Sequence, residues 1–198
     1  MIAANTGRPE AVKLLIEHGA HVNSAETKKG QTALMWAAAE GHSDAVQLLV
    51  ANGADVKAVS KGGFTPLVFA SIKNDWKSAK TLLAVGADPN TKIPDGTPVV
   101  ILAAANRSSK AAEVLIDAGA DPKSADRRGN TVLHTAAQIG DAELVRKLLA
   151  KGADVLADPA QAVALATQGG ALTGEIARLA TMGEDSPTRF KGTPGIDK

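Results

Sequence analysis

Apolar residues recur along the chain at intervals of three and four, the spacing that places them on one buried face of a helix. The clearest cases are the five segments AVKLLIEHGA, AVQLLVANGA, SAKTLLAVGA, AAEVLIDAGA and LVRKLLAKGA. Leu15, Leu49, Leu82, Leu115 and Leu148 occupy matching positions in them. Each segment runs into a glycine, which can adopt the left-handed conformation that ends a helix. We therefore predict five helices of one type.

A second helix is predicted before four of these segments, over residues 33–42, 66–75, 98–107 and 132–141. Polar stretches that contain glycine, such as ETKKGQT, VSKGGFT and DRRGNT, come before these helices and predict β-turns. The glycines that end the five segments stand at positions 19, 53, 86, 119 and 152, so the intervals are 34, 33, 33 and 33 residues. This regularity predicts a repeated unit of a turn and two helices.

The unit resembles the ankyrin repeat, in which a turn is followed by T-P-L-H-x-A, two antiparallel helices and the phrase G-A-D. The matching residues are Thr65-Pro66-Leu67, the stretch TVLHTA at 131–136, and the five phrases GAHVN, GADVK, GADPN, GADPK and GADVL. The resemblance implies an all-α repeat solenoid of stacked helix-turn-helix units joined by β-turns. It also implies a module for protein-protein interaction.

The predicted repeat domain covers residues 1–182. It divides into a partial first repeat at 1–24, repeats at about 25–58, 59–91, 92–124 and 125–157, and a degenerate C-terminal helical cap at 158–182. Residues 183–198 are polar and contain several Pro and Gly residues, which predicts a flexible tail or linker. In the repeat at 92–124, Thr97 stands one residue early. This predicts that the turn has lost a residue and the first helix has gained one.

The first repeat is incomplete, because only Met1–Thr6 stands where a full turn and first helix belong. A solenoid without a polar cap exposes apolar surface at its end. One explanation is that the chain is a fragment of a longer protein, or that its open end associates with another surface. The alternative is a short, frayed repeat that the fold tolerates.

Composition narrows the possible functions. The formal net charge of +1 gives no reason to expect nucleic acid or a membrane surface as partner. The chain has no cysteine, which excludes disulfides, thiolate catalysis and cysteine-ligated zinc and leaves the compartment open. No apolar run reaches the roughly 18 residues of a membrane span, and the N-terminus lacks the features of a signal peptide. We expect a soluble chain.

No constellation of catalytic or metal-binding residues stands out. His18 and His21 have a spacing found in metal sites, but Gly19 and Ala20 break the helix between them. Gly169 and Gly174 are spaced as in a phosphate-binding loop, but Glu175 follows where that loop needs lysine. The sequence predicts that the protein is not an enzyme and has no cofactor or metal.

The resemblance places partner binding on the turn tips and on the concave face of the first helices. Residues at the matching positions form the candidate binding set: Lys28, Lys29, Gln31, Glu40, Lys61, Phe64, Ile72, Lys73, Arg127, Arg128, Asn130, Gln138 and Ile139. Trp36 and Phe69 are expected in the core instead.

Two features of this set suggest how a partner is recognised. Phe64 lies at a turn tip, where it is either an exposed anchor for the partner or packed on an adjacent turn. Five Lys and Arg residues lie near the tips and form either a positive edge that attracts an acidic partner or an ordinary solvated surface. The leading hypothesis is a protein-binding module. The alternative is a regulatory or scaffolding segment of a larger, multidomain enzyme.

Overall fold

The structure is a computed structural model that describes residues 1–153, and these residues form ten α-helices. The helices are α1 (Ile2–Asn5), α2 (Pro9–Glu17), α3 (Ala33–Glu40), α4 (Ser43–Ala51), α5 (Pro66–Ile72), α6 (Trp76–Ala84), α7 (Val99–Ala105), α8 (Ser109–Asp117), α9 (Val132–Ile139) and α10 (Ala142–Ala150). The predicted cap at 158–182 and the predicted tail at 183–198 lie outside the described residues.

Successive helices pair, and the pairs stack in chain order. Each odd-numbered helix contacts the next odd-numbered one, from α1 to α9, and each even-numbered helix contacts the next even-numbered one, from α2 to α10. The odd-numbered helices, which we call the first helices, thus form one layer, and the even-numbered second helices form the other. The predicted all-α repeat solenoid is confirmed.

The core is a row of equivalent side chains between the two layers. Leu49, Leu82, Leu115 and Leu148 are each at most 2% exposed. Burial of one such leucine contributes about 1.5–3 kcal/mol. Leu15 occupies the same position in α2 but is 51% exposed, because none of the residues 1–153 forms a preceding repeat to cover it.

Alanines line the contact between successive first helices. Ala37, Ala70, Ala103 and Ala136 stand at one position in four repeats, and all are 0% exposed. Small side chains there let the helices approach closely, so a larger residue would force neighbouring helices apart.

A threonine begins most of the first helices. The hydroxyls of Thr32, Thr65 and Thr131 each accept a hydrogen bond from the backbone N–H three residues later, at 3.3–3.4 Å. At Thr131 the contact is reciprocal, because His134 Nδ1 accepts from the Thr131 backbone N–H at 3.2 Å. These contacts satisfy N–H groups that have no partner within the helix.

The predicted loss of a residue from the turn before α7 is wrong. The turn glycines Gly30, Gly63, Gly96 and Gly129 are all 33 residues apart, and all have positive φ. The difference is a substitution: Pro98 takes the position of the capping threonines and makes no side-chain cap. Thr97 therefore belongs to the turn.

Residues with positive φ also follow the first helices. Gly41 and Gly140 end α3 and α9 in the left-handed conformation, and Asn74 and Arg107 hold the same position after α5 and α7, both at φ +57°. Asn74 gains from this position, because its Oδ1 accepts from the Ala111 N–H at 3.3 Å. A positive φ costs an arginine about 1–2 kcal/mol relative to right-handed backbone.

Candidate protein-binding surface

The turn before α3 is held by one carboxylate. Glu26 accepts hydrogen bonds from the backbone N–H groups of Lys28, Lys29 and Gln31, at 2.7, 2.6 and 3.2 Å. Desolvation raises the pKa of this carboxyl, but the three N–H donors and the nearby charge of Lys61 outweigh it, so the pKa lies below its ordinary value. The ionised carboxylate therefore fixes the tip, and the two lysine side chains project from a defined backbone.

Other turns are fixed in the same way by different residues. Ser60 Oγ accepts from the Phe64 N–H at 3.1 Å, and Asp126 Oδ1 accepts from the N–H groups of Arg128 and Asn130 at 2.8 and 2.9 Å. Desolvation raises the pKa of Asp126. The two backbone hydrogen bonds, a hydrogen bond from the Asn130 side chain and the charge of Arg128 outweigh this effect, so the pKa lies below its ordinary value. In the turn before α7, Asp95 takes this role and accepts from the Thr97 N–H at 2.8 Å.

Neighbouring tips are also bonded to each other. The backbone N–H of Lys61 donates to Lys29 O at 2.8 Å, and its ammonium donates to Thr27 O at 2.5 Å. Between the tips before α7 and α9, Arg127 Nη2 donates to Pro94 O at 3.1 Å. The tips are thus positioned both by their own turns and by their neighbours.

A cavity of about 440 Å³ opens between the tips before α3 and α5 and the side of α5. We call it the tip cleft. Its lining consists of Lys28, Lys29, Gln31, Ser60, Lys61, Gly62, Phe64, Phe69 and Ile72. Six members of the candidate binding set predicted from the sequence meet here, from two different repeats: Lys28, Lys29, Gln31, Lys61, Phe64 and Ile72.

The floor of the tip cleft is apolar. The rings of Phe64 and Phe69 lie 5.8 Å apart, centroid to centroid, at 37°. Phe64 thus packs against Phe69 of its own repeat, and it is half-buried while still lining the cleft. Trp36 and Phe69 were expected in the core, but both are half-buried, and Phe69 packs against the core from its edge. The sequence feature that indicates a place for Phe69 in the cleft is its position three residues before Ile72, which puts both side chains on one helix face.

The remaining members of the set lie outside the tip cleft. Glu40 and Lys73, at the ends of α3 and α5, face each other with 3.9 Å between Oε2 and Nζ, so their charges offset. Asn130 turns its side chain back to Asp126 at 3.2 Å. The others lie further along the solenoid: Arg127 and Arg128 on the tip before α9, with Gln138 and Ile139 at the end of that helix.

The basic residues do not form one continuous edge. Lys28, Lys29 and Lys61 surround the tip cleft, but the following tip carries Pro94 and the acidic Asp95 before Arg127 and Arg128 are reached. The Thr97 backbone and side chain lower the pKa of Asp95, so it is ionised at neutral pH. The positive charge is therefore concentrated in two clusters, and only the first one adjoins an apolar floor.

Sequence comparison agrees with this architecture. A family model described as "Ankyrin repeats (3 copies)" matches residues 1–93 and again residues 67–159. The chain belongs to the ankyrin-repeat family. It is also 42% identical over 57 residues to the B-cell lymphoma 3 protein homolog of Mus musculus. That match covers 29% of this chain and 13% of the relative, so the chain spans a small part of the relative's length.

A second cavity lies on the other layer of the ankyrin stack, between α6 and α8. It measures about 560 Å³ and is lined by Trp76, Lys80, Leu83, Ala84, Val114, Asp117 and Ala118. Its lining carries one cation, Lys80, and one carboxylate, Asp117, which also binds Lys147 at 2.6 Å. The tip cleft combines three cations with no lining carboxylate, and it therefore has the stronger charge preference.

Within residues 1–153, the ankyrin repeats bring no three His, Asp or Glu side chains together in a way that could hold a metal ion. His18 Nδ1 lies 2.8 Å from Leu14 O at the end of α2, and His134 is buried in its helix cap. In the same part of the chain no helix is long and apolar enough to cross a bilayer.

Proposed function

We propose that this ankyrin chain binds another protein through its turn tips and the exposed face of its first helices, with the tip cleft at the centre of the contact. Ankyrin repeats generally serve as protein-protein interaction modules. The observation that carries the proposal for this surface is the convergence of six candidate residues, from two repeats, on one cavity with an apolar floor.

The fixed geometry of the tips supports strong binding. Glu26, Ser60 and Asp126 satisfy tip amides in the chain without a partner. Fewer backbone conformations are then lost on association, which lowers the entropic cost of binding. Half-buried aromatic side chains in such a surface can anchor a partner.

The charges favour an acidic partner surface. Lys28 and Lys29 are exposed, and no hydrogen bond or ion pair within residues 1–153 uses their ammonium groups. Charges of this kind steer an oppositely charged partner towards the surface and speed association.

The test begins with capture of partners from the native source by the full chain, followed by purification of each partner and measurement of its Kd. The triple variant Lys28→Gln, Lys29→Gln, Arg128→Gln removes charge from two tips. The matched control Lys80→Gln, Lys110→Gln, Lys123→Gln removes the same charge away from the tips and first helices.

We expect the tip variant to weaken binding by roughly 3- to 150-fold at low salt, since each of the three exposed ion pairs contributes about 0.2–1 kcal/mol. The control should bind as the parent does. Equal affinities for the parent and the tip variant would exclude this surface.

A further inference from the structure

The tip cleft has a chemical asymmetry that narrows what can occupy it. Lys28, Lys29 and Lys61 form its rim on the side of the turns, while Phe69 and Ile72 come from α5 on the other side. The nearest carboxylate, Glu26, has both oxygens engaged by backbone N–H groups at 2.6–3.2 Å. An occupant must therefore supply negative charge at the turns.

The floor needs an apolar group. Phe64, Phe69 and Ile72 present aromatic and aliphatic surface, and Ile72 is 36% exposed. A volume of about 440 Å³ lies in the lower part of the roughly 300–1,000 Å³ range of ligand pockets. A cleft of this volume accommodates one or two bulky side chains of a partner rather than a large flat surface.

We propose that the occupant is a short segment of the partner protein in which one bulky apolar residue is flanked by Asp or Glu residues. The apolar side chain lies on Phe64, Phe69 and Ile72, and the flanking carboxylates pair with Lys28, Lys29 and Lys61. This inference deepens the proposed function and rests on it.

A polynucleotide fits the same surface less well, although its phosphates are also anionic. The next tip along the solenoid carries Asp95, which accepts from the Thr97 N–H in its ionised form and would repel a continuous row of phosphates. The net charge of +1 also provides little of the general attraction that nucleic-acid binding uses.

The experiment selects binders to the full chain from a random-peptide display library. Selected peptides are synthesised and titrated by fluorescence polarisation against the parent and the variants, and bound amides are mapped by NMR. Two cleft variants separate the two halves of the proposal. Ile72→Thr keeps the branch at Cβ, removes the terminal methyl and adds a hydroxyl, and Lys28→Gln with Lys29→Gln removes charge.

Each cleft variant has a matched control. Ile2→Thr makes the same change at a side chain that is 83% exposed on α1, outside the tip cleft. Lys110→Gln with Lys123→Gln removes the same charge elsewhere.

We expect the selected peptides to share one bulky apolar residue with acidic neighbours and to shift amides at 28–31, 60–64 and 69–72. Ile72→Thr should weaken binding about fourfold or more. The double lysine variant should weaken it by roughly 2- to 30-fold, less so at high salt. Both controls should bind as the parent does.

Three results would overturn the inference: selected peptides without acidic residues, selected peptides whose affinity ignores the cleft variants, or a selection that enriches nothing. Tighter binding of a single-stranded oligonucleotide than of any selected peptide would overturn it as well. The proposed function fails separately, when purified partners bind the tip variant and the parent equally. A partner that needs the tips while the peptides lack the acidic pattern would refute only this inference.

Discussion

The stacking of one tip on the next can be tested at Gly63, which lies beside Pro94 of the following turn. A Cβ added at Gly63 would stand 2.3 Å from Pro94 Cγ and 3.1 Å from Pro94 Cδ. Carbon atoms pack best at about 3.5–4.0 Å, so Gly63→Ala must push the two tips apart. Gly53→Ala is the matched control, because Gly53 also has positive φ, +82° against +77°, but has no atom within 4 Å of an added Cβ.

The expected magnitudes follow from these two geometries. Both variants bear the cost of a left-handed alanine, about 1–2 kcal/mol. Gly63→Ala adds an overpacking cost of about 1–3 kcal/mol. The free energy of unfolding should therefore fall by about 1–2 kcal/mol in Gly53→Ala and by about 2–5 kcal/mol in Gly63→Ala.

Urea unfolding followed by circular dichroism gives both values, and a double-mutant cycle identifies the cause. Pro94→Ala removes Cγ and Cδ, so the pair Gly63→Ala with Pro94→Ala should recover most of the additional loss. If Gly63→Ala and Gly53→Ala were equally destabilised, or if Pro94→Ala restored nothing, the tips would not be in the contact described above.

Two further predictions concern single residues. Because the folded-state pKa of Asp126 is lowered, its contribution to stability is present above its unfolded-state pKa of about 4 and is lost as the pH falls through the folded value. Asp126→Ala should therefore be less stable at neutral pH and lose less stability than the parent on acidification, as measured by Tm against pH. Parallel curves would contradict this. Arg107→Gly should raise the free energy of unfolding by about 0.5 kcal/mol, since relief of about 1–2 kcal/mol of backbone strain exceeds the entropic cost of glycine. Lys80→Gly, inside α6, should instead lower the free energy of unfolding by about 1 kcal/mol. If Arg107→Gly gave no gain, the proposed backbone strain at Arg107 would be refuted.

The fold could be predicted because the same stabilising contacts recur in each repeat. Leu49, Leu82, Leu115 and Leu148 all fill the same position between the same two layers, so one pattern of burial recurs every 33 residues. The prediction for the turn before α7 was wrong because it treated Thr97 as the counterpart of Thr65 and Thr131, although Pro98 occupies that position. Gly96, whose position in the turn requires positive φ, marks the alignment of this repeat with the others more reliably than Thr97 does.

The candidate surface was only partly predictable, because it depends on where side chains from different repeats meet. The sequence indicated which positions point outward, but not that six of them enclose one cavity while Glu40 and Lys73 pair with each other. Phe69 was assigned to the core since it is apolar and helical. Phe69 is half-buried because one side of it lines the tip cleft beside Ile72. That cleft exists only once the two turns and α5 are packed together.

The geometry of the tips separates the requirements of folding from those of binding. The residues that hold a turn are Glu26, Ser60 or Asp126 at its base and a glycine with positive φ at its end. The side chain just before that glycine is not needed to hold the turn in three of the four tips, where it is Lys29, Gly62 or Arg128, whereas Asp95 at this position accepts from the Thr97 N–H. Such positions can change charge or size at small cost in stability, so partner specificity can vary from one tip to the next while the solenoid persists. In this chain the consequence is that a cationic, apolar cleft forms at one pair of tips, while Asp95 interrupts the positive charge on the next tip.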